Sequence, residues 1–180
     1  MKTGENMERV TKRLRLREFT IEDLDTTHVY AGDPACVEFM LWGPNTFDET
    51  TRFLYDVIEN QTVLPRRKYD FALIDNEGRH IGGCGIYLDD TMEKAEVGWI
   101  LRKEEWNQGY GGEAAQELIR FGFEELGIDE ITATCDARNL GSAKVMLKCG
   151  MTLGHIRRHH RRDRYDPDVF HDQFEYRIKR

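Results

Sequence analysis

The chain predicts one α/β (α+β) domain: a mixed, mostly antiparallel sheet with flanking helices and one parallel strand pair near its centre. Three observations carry that expectation. Strand-like and helical segments alternate along the chain, tight turns join the strands between residues 69 and 102, and a glycine turn at 109–112 links a strand to an amphipathic helix that another strand follows. With 180 residues, 39% hydrophobic and 33% charged, the chain is long enough to bury a full core within one domain spanning 1–180. Residues 1–12 read as a disordered N-terminal extension. No apolar run approaches the 18 residues that a membrane span requires, so no membrane partner is expected. Met1 to Glu8 is polar, unlike a secretory signal, and the four cysteines (Cys36, Cys84, Cys135, Cys149) include no CxxC pair, which predicts reduced thiols and a cytoplasmic home.

In chain order, Arg13-Leu14-Arg15-Leu16-Arg17 alternates with period two and reads as a strand with Leu14 and Leu16 facing inward. Thr20-Ile21-Glu22-Asp23 is a helix start, with a capping Thr and acids in the first turn. Pro34 and Gly43-Pro44 bracket an irregular stretch before a helix over Asp48 to Asn60, whose Phe53, Leu54, Val57 and Ile58 share one side. Tyr69–Ile74 and Ile81–Leu88 form a hairpin about Asp75-Asn76-Glu77-Gly78 and lead to a third strand at Glu96–Arg102. A helix over Glu113–Leu126 ends at Gly127, and Ile131–Cys135 is a strand. A right-handed crossover makes Glu96–Arg102 and Ile131–Cys135 parallel neighbours with a crevice at their C-terminal ends. A short helix after Asn139 and a hairpin from Thr152 complete the chain. Gly82, Gly83 and Gly85 within one strand suggest a β-bulge.

The chemistry concentrates in Trp106-Asn107-Gln108-Gly109-Tyr110-Gly111-Gly112-Glu113-Ala114. A glycine turn on a helix N-terminus offers N–H groups without intrahelical partners and the positive end of the helix dipole, so it suits a diphosphate. An ordinary strand-to-helix turn has the same glycines. The dinucleotide fingerprint is excluded because Ala114 stands where its third glycine belongs, and no Gly-Lys-Ser/Thr of a Walker A loop occurs.

Net charge is −7, unevenly spread: residues 155–180 hold eight Lys/Arg against five Asp/Glu, a local +3 that leaves −10 for the rest. The basic run from His155 to Arg164 suits RNA, an acidic acceptor or a phosphate, or forms a solvated hairpin loop. It lacks interleaved aromatics for base stacking. His155 and His159 would share a metal only on a helix and have no evident third ligand, so no metal is expected. Cys84 and Cys149 lack a His partner at a nucleophile's spacing.

Asn139-Leu140-Gly141-Ser142, the helix after it and the closing Lys148-Cys149-Gly150-Met151 resemble the last helix of GNAT-superfamily N-acetyltransferases. Together with Glu96-Val97-Gly98-Trp99-Ile100-Leu101, the 106–114 segment and Arg13–Arg17, they resemble the RimJ/RimL branch, whose type members acetylate the N-termini of ribosomal proteins. The likeness covers nearly the whole chain. Trp106 replaces the superfamily's Gln or Arg at the head of the motif, a substitution common in that branch.

The resemblance implies acetyl-CoA as donor, in a cleft formed by the parallel strand pair, and an amine as acceptor, with no DNA or metal and with the chain acting as monomer or homodimer. It places the pyrophosphate on N–H groups of Gln108, Gly109, Tyr110, Gly111, Gly112 and Glu113, and the pantetheine arm on the backbone of Ile100, Leu101 and Arg102. Asn139 would hold the pantetheine or simply cap its helix. Amide formation from a thioester needs a neutral amine, a polarised carbonyl and a stabilised thiolate. Glu96 is the candidate base, or a plain surface carboxylate, and a backbone N–H near Trp99 or Ile100 would polarise the carbonyl. The tyrosine acid that many members carry is absent, since that position is Met146; Ser142, three residues after Asn139, takes the role or belongs only to the helix start. Phe39–Pro44, the 155–164 hairpin and Asp172 would flank the acceptor. A non-catalytic acyl-CoA sensor and an RNA-associated module remain as rivals that need neither Ser142 nor Glu96.

Overall fold

The structure, a computed structural model, describes residues 7–180. Its strands are β1 (Glu8–Val10), β2 (Leu14–Glu18), β3 (Lys68–Asp75), β4 (His80–Leu88), β5 (Lys94–Leu101), β6 (Glu130–Asp136), β7 (Thr152–Arg162) and β8 (Phe170–Lys179). Its helices are α1 (Leu24–Ala31), α2 (Phe47–Asn60), α3 (Tyr110–Glu124) and α4 (Leu140–Lys148). Eight strands form one sheet in the order β1-β2-β3-β4-β5-β6-β8-β7, antiparallel throughout except at β5–β6. This is the mixed sheet with one central parallel pair that the sequence predicts. Among the described residues no helix is long and apolar enough to cross a membrane.

Local chemistry explains most element boundaries. Thr46 caps α2 by accepting the Glu49 N–H while the Glu49 carboxylate returns to the Thr46 N–H, a reciprocal box that starts the helix one residue before the expected Asp48. The hairpin between β3 and β4 turns at Gly78, whose φ of 81° is available to glycine at little cost. α3 carries Ala114, Leu118, Ile119, Phe121 and Gly122 on its buried side against Phe71, Leu73, Ile86, Val97 and Ile131 of the sheet. Gly122 is required by this packing, because a Cβ there would lie 2.7 Å from Ile131 Cδ1 and 2.9 Å from Ile86 Cδ1. On the other face, α2 places Leu54 and Val57 on Phe19, Ala72 and Ile74. Leu54 is wholly buried, so Leu54→Ala is expected to cost about 2–5 kcal/mol.

One sequence expectation changes and one is met. The 1–12 segment is not an extension throughout: residues 1–6 lie outside the described residues, but Glu8–Val10 pairs with Arg15–Arg17, and buried Arg9 lies 3.6 Å over the Phe121 ring while it bonds Glu125. A three-residue strand leaves too little periodicity to read. The β-bulge expected at the β4 glycines is present: Leu73 pairs with Gly82 and Ile74 with His80, so Ile81 is the extra residue beside Gly82, while Gly83 and Gly85 lie beneath the hydroxyls of Tyr30 and Tyr87, 3.1 and 2.5 Å from where a Cβ would stand.

Candidate active site

β5 and β6 are paired only over Lys94–Glu96 and Glu130–Thr132, and beyond that point they part. Into the gap open the N-termini of α3 and α4, and the result is one cavity of about 1220 Å³. One end is lined by Arg13, Trp99, Gly109, Gly111 and Gly112, the other by Cys36, Phe39, Met40 and Arg138, with Asn139 and Ser142 between.

The α3 end is built from backbone. Gly109 precedes the helix at φ 87°, and the N–H groups of Tyr110, Gly111 and Gly112 begin a helix turn with no carbonyl one turn back to accept them. A Cβ on Gly112 would meet nothing within 4 Å, so the first turn is open to a ligand. Glu113 falls out of the anion site: its N–H bonds the Gly109 carbonyl, and its carboxylate takes the Thr11 hydroxyl and the Arg13 N–H, each at 2.6 Å, and Arg13 Nε at 2.8 Å. Burial pushes that carboxyl up, but these donors outweigh it and hold it below the usual carboxylate range. Arg13 then bonds the Gln108 carbonyl and stacks 4.5 Å from the Tyr110 ring, fixing the turn from outside. The Gln108 side chain is spent on Glu104 and Glu105.

The strand edge facing the gap is also defined. Arg102 donates its N–H to Ile81, and Asp89 donates to the Lys94 carbonyl, so the even-numbered residues of β5 turn their backbone to β4. The backbones of Ile100 and Arg102 are thus turned to β4, although Ile100 still lines the cavity and Arg102 does not. The odd-numbered residues turn theirs the other way; of these Trp99 and Leu101 line the cavity, and the Leu101 carbonyl already accepts Trp106 Nε1 at 3.0 Å. Trp99 is accordingly the residue whose N–H can meet a carbonyl in the gap.

Asn139 caps α4, its Oδ1 accepting the Ser142 N–H at 3.0 Å, and both side chains line the cavity. Met146 is 1% exposed in the core, beneath rather than within the site. Glu96 does not line the cavity: it stands on the opposite face of the sheet from the α3 core and accepts Thr134 Oγ1 at 2.7 Å. Ser142 and Glu96 thus border the gap from different elements, with no contact between them.

The basic hairpin behaves differently from the sequence reading. Arg161 donates to Gln173 and to the Phe39 carbonyl, and Arg164 Nη2 reaches the carbonyls of Val37, Met40 and Trp42 at 2.8–2.9 Å. Arg157 pairs with Glu175, and the Asp172 carboxylate accepts the His159 N–H. Arg161 and Arg164 thus shape the 36–42 turn, while Arg157, Arg158 and Arg162 are exposed, as a solvated hairpin would have them. His155 and His159 lie on a strand, so their i, i+4 spacing places no shared ligand. Sequence reasoning missed Arg138, which sits in the cavity with its guanidinium 5.6 Å from the Phe39 ring and two bonds to Asp136. Its signal was its position beside Asn139, one residue outside the motif.

A cleft between parting parallel strands, facing a glycine-opened helix N-terminus, defines a coenzyme-dependent transferase fold of the α/β class. The acetyltransferase (GNAT) domain family matches residues 13–152, and the chain belongs to that family. It is 30% identical over 142 residues to the N-acetyltransferase YnaD of Bacillus subtilis, an alignment covering 78% of this chain and 80% of that protein. A GNAT acetyltransferase from Bacillus anthracis superposes with a TM-score of 0.84 at 25% identity, covering 96% and 98% of the two chains. RimL, a ribosomal α-N-protein acetyltransferase in complex with coenzyme A, superposes at 0.83 with 16% identity over 95% and 96%, a likeness of fold. The protein is an N-acetyltransferase.

Proposed function

We propose that the chain transfers the acetyl group of acetyl-CoA directly to a primary amine, a peptide N-terminal α-amine or a small-molecule amine, with both substrates bound at once. The observation that carries this reading is the joining of the β5–β6 gap and the α3 N-terminus in one cavity. The residues present fit the donor: the free N–H groups of Tyr110, Gly111 and Gly112 suit a diphosphate, and the backbone of Trp99 suits an extended amide-bearing arm. The coenzyme A bound to the RimL structure is consistent with that donor.

In this reading the amine nitrogen attacks the thioester carbonyl carbon, the C–S bond breaks, and the amine proton passes to a base. Glu96 is that base, acting through water across the gap, because it is the exposed carboxylate of β5 on the face opposite the α3 core. An α-amine, with a pKa of about 8, needs only mild deprotonation. The Trp99 N–H polarises the carbonyl oxygen, and the Ser142 hydroxyl hydrogen-bonds the departing thiolate. Asn139 holds Ser142 in place. The carbonyl-bound arginines of the hairpin weigh against an RNA-associated module.

The test is thiol release from acetyl-CoA against a panel of amines, with calorimetry of acetyl-CoA binding. Acceptor-dependent release that drops in Glu96→Gln supports the reading. Tight acetyl-CoA binding with no release by any amine would favour the sensor.

A further inference from the structure

Two guanidinium groups behind the acceptor end of the cavity have no carboxylate partner. Arg161 is 8% exposed, and its hydrogen bonds go to Gln173 Oε1 and the Phe39 carbonyl. Arg164 bonds the carbonyls of Val37, Met40 and Trp42, and its Nη1 is buried without a partner. Neither residue forms an ion pair among the described residues. The nearest negative charges acting on Arg161 are Asp136 and Glu96, and each is already engaged, Asp136 by Arg138 and Glu96 by Thr134. A buried cation satisfied only by neutral oxygens keeps its hydrogen bonds but lacks a counter-ion, an arrangement that costs stability unless something supplies one.

In front of these two stands Arg138. Asp136 holds its Nε and Nη2 at 3.0 and 2.9 Å, which fixes the plane of the guanidinium. Its Nη1 is 3.8 Å from Asp163, too far for a hydrogen bond, and the Asp163 carboxylate is occupied by His171 and by the N–H groups of Tyr165 and Asp166. Glu38 contributes a more distant negative charge. The carboxylates that line the cavity are Glu113 and Glu117 of α3, where the donor would lie, and Glu105 of the turn after β5, which is paired with Arg79. The lining residues from 35–40 and 138–148 include no carboxylate, although Asp33 and Glu104 act on Cys36 from outside the wall.

We propose that the acceptor is an amine that also bears an anionic group, a carboxylate or a phosphate, which Arg138 receives in the positive field of Arg161 and Arg164. This rests on the acetyltransferase reading above and narrows it to a class of acceptor. The amine then points to the gap and to Glu96 while the anion points away from it, so one molecule bridges the two signs of charge. A polyamine brings a second ammonium to this wall and is repelled.

The experiment compares aspartate, phosphoethanolamine, glycinamide and spermidine as acceptors for acetyl-CoA, and titrates N-acetylaspartate, N-acetylphosphoethanolamine and N1-acetylspermidine into the coenzyme A complex. One of the two anionic amines is expected to exceed glycinamide and spermidine in kcat/KM by about tenfold or more. Which of them does so tells carboxylate from phosphate. Arg138→Gln, which also takes the guanidinium from buried Asp136, is expected to raise the KM of that amine about tenfold, with partial rescue by Arg138→Lys, and to raise that of glycinamide by a much smaller factor. Spermidine or glycinamide as the best acceptor would overturn the proposal, as would an unmoved KM in Arg138→Gln or weaker binding of both anionic products than of acetylspermidine. Failure of the wild-type protein to bind acetyl-CoA would instead remove the reading beneath it.

Discussion

The two ends of the cavity are made in opposite ways. The α3 end is backbone from one continuous segment, Gly109 to Gly112, and a glycine turn suffices to specify it. The acceptor end is side chains and carbonyls from three distant segments, with Arg161 and Arg164 bonding carbonyls 122 to 127 positions earlier in the chain. The first arrangement suits a donor whose phosphates never change; the second can be altered by single substitutions without disturbing the first. Each can be broken separately.

The largest effect is expected at Gly109. Valine there must adopt φ 87° and place a side chain against Arg13 Nη2, which a Cβ alone would approach at 3.2 Å. Strain of about 1–3 kcal/mol and a displaced first turn should weaken acetyl-CoA binding about 100-fold by calorimetry. Gly127 supplies the control: its φ is 72°, but a Cβ there meets nothing within 4 Å, so Gly127→Val should lower stability without touching affinity. Equal affinity losses in the two variants would mean that the glycine turn is structural only.

Arg164→Met comes next and acts at the other end. Three carbonyls lose their donor, so the 36–42 turn loosens, with a stability loss of about 2 kcal/mol in denaturant titration. The KM of the acceptor should rise about tenfold while the acetyl-CoA Kd stays within a factor of about two. A shift in both constants would show the two ends to be one mechanical unit. Ser142→Ala probes the middle. Because Asn139 caps the backbone N–H of residue 142, alanine keeps the cap, and stability should hold within about 0.5 kcal/mol. A kcat lower by about tenfold with an unchanged KM would support the hydroxyl as thiolate partner, and an unchanged kcat would return Ser142 to the helix start.

What was legible in the sequence follows the same division. Alternation in Arg13–Arg17, the acids after Thr20 and the glycine turn are local signals, and local structure obeys them. The β5–β6 pairing was legible because a helix between two strands leaves few topologies. Which backbone groups of β5 face the gap depends on the register against β4, which no local signal at Ile100, Leu101 or Arg102 reveals. The hairpin arginines looked like a free patch because their partners are carbonyls, which every residue has and no sequence distinguishes.

Glu113 is the sharpest instance, and it carries the smallest predicted effect. Its place in the glycine motif suggested donor binding, yet its carboxylate joins α3 to the turn at Thr11–Arg13. The folded state holds this carboxyl below its ordinary range, so ionised Glu113 contributes stability above the unfolded pKa, about 4.3, and that contribution is lost as pH falls through the depressed folded value. Glu113→Gln should therefore be less stable than the parent by about 1 kcal/mol at pH 7, with the gap narrowing below pH of about 4 as the parent loses its advantage. Acetyl-CoA affinity should shift by no more than about threefold, because the N–H groups proposed for the diphosphate are those of residues 110–112. Denaturant titrations of both proteins at two pH values, with calorimetry at the higher one, separate the roles. A large affinity loss with little change in stability would restore Glu113 to the donor site, whereas the reverse pattern makes it the link that lets a strand near the N-terminus hold the phosphate helix in position.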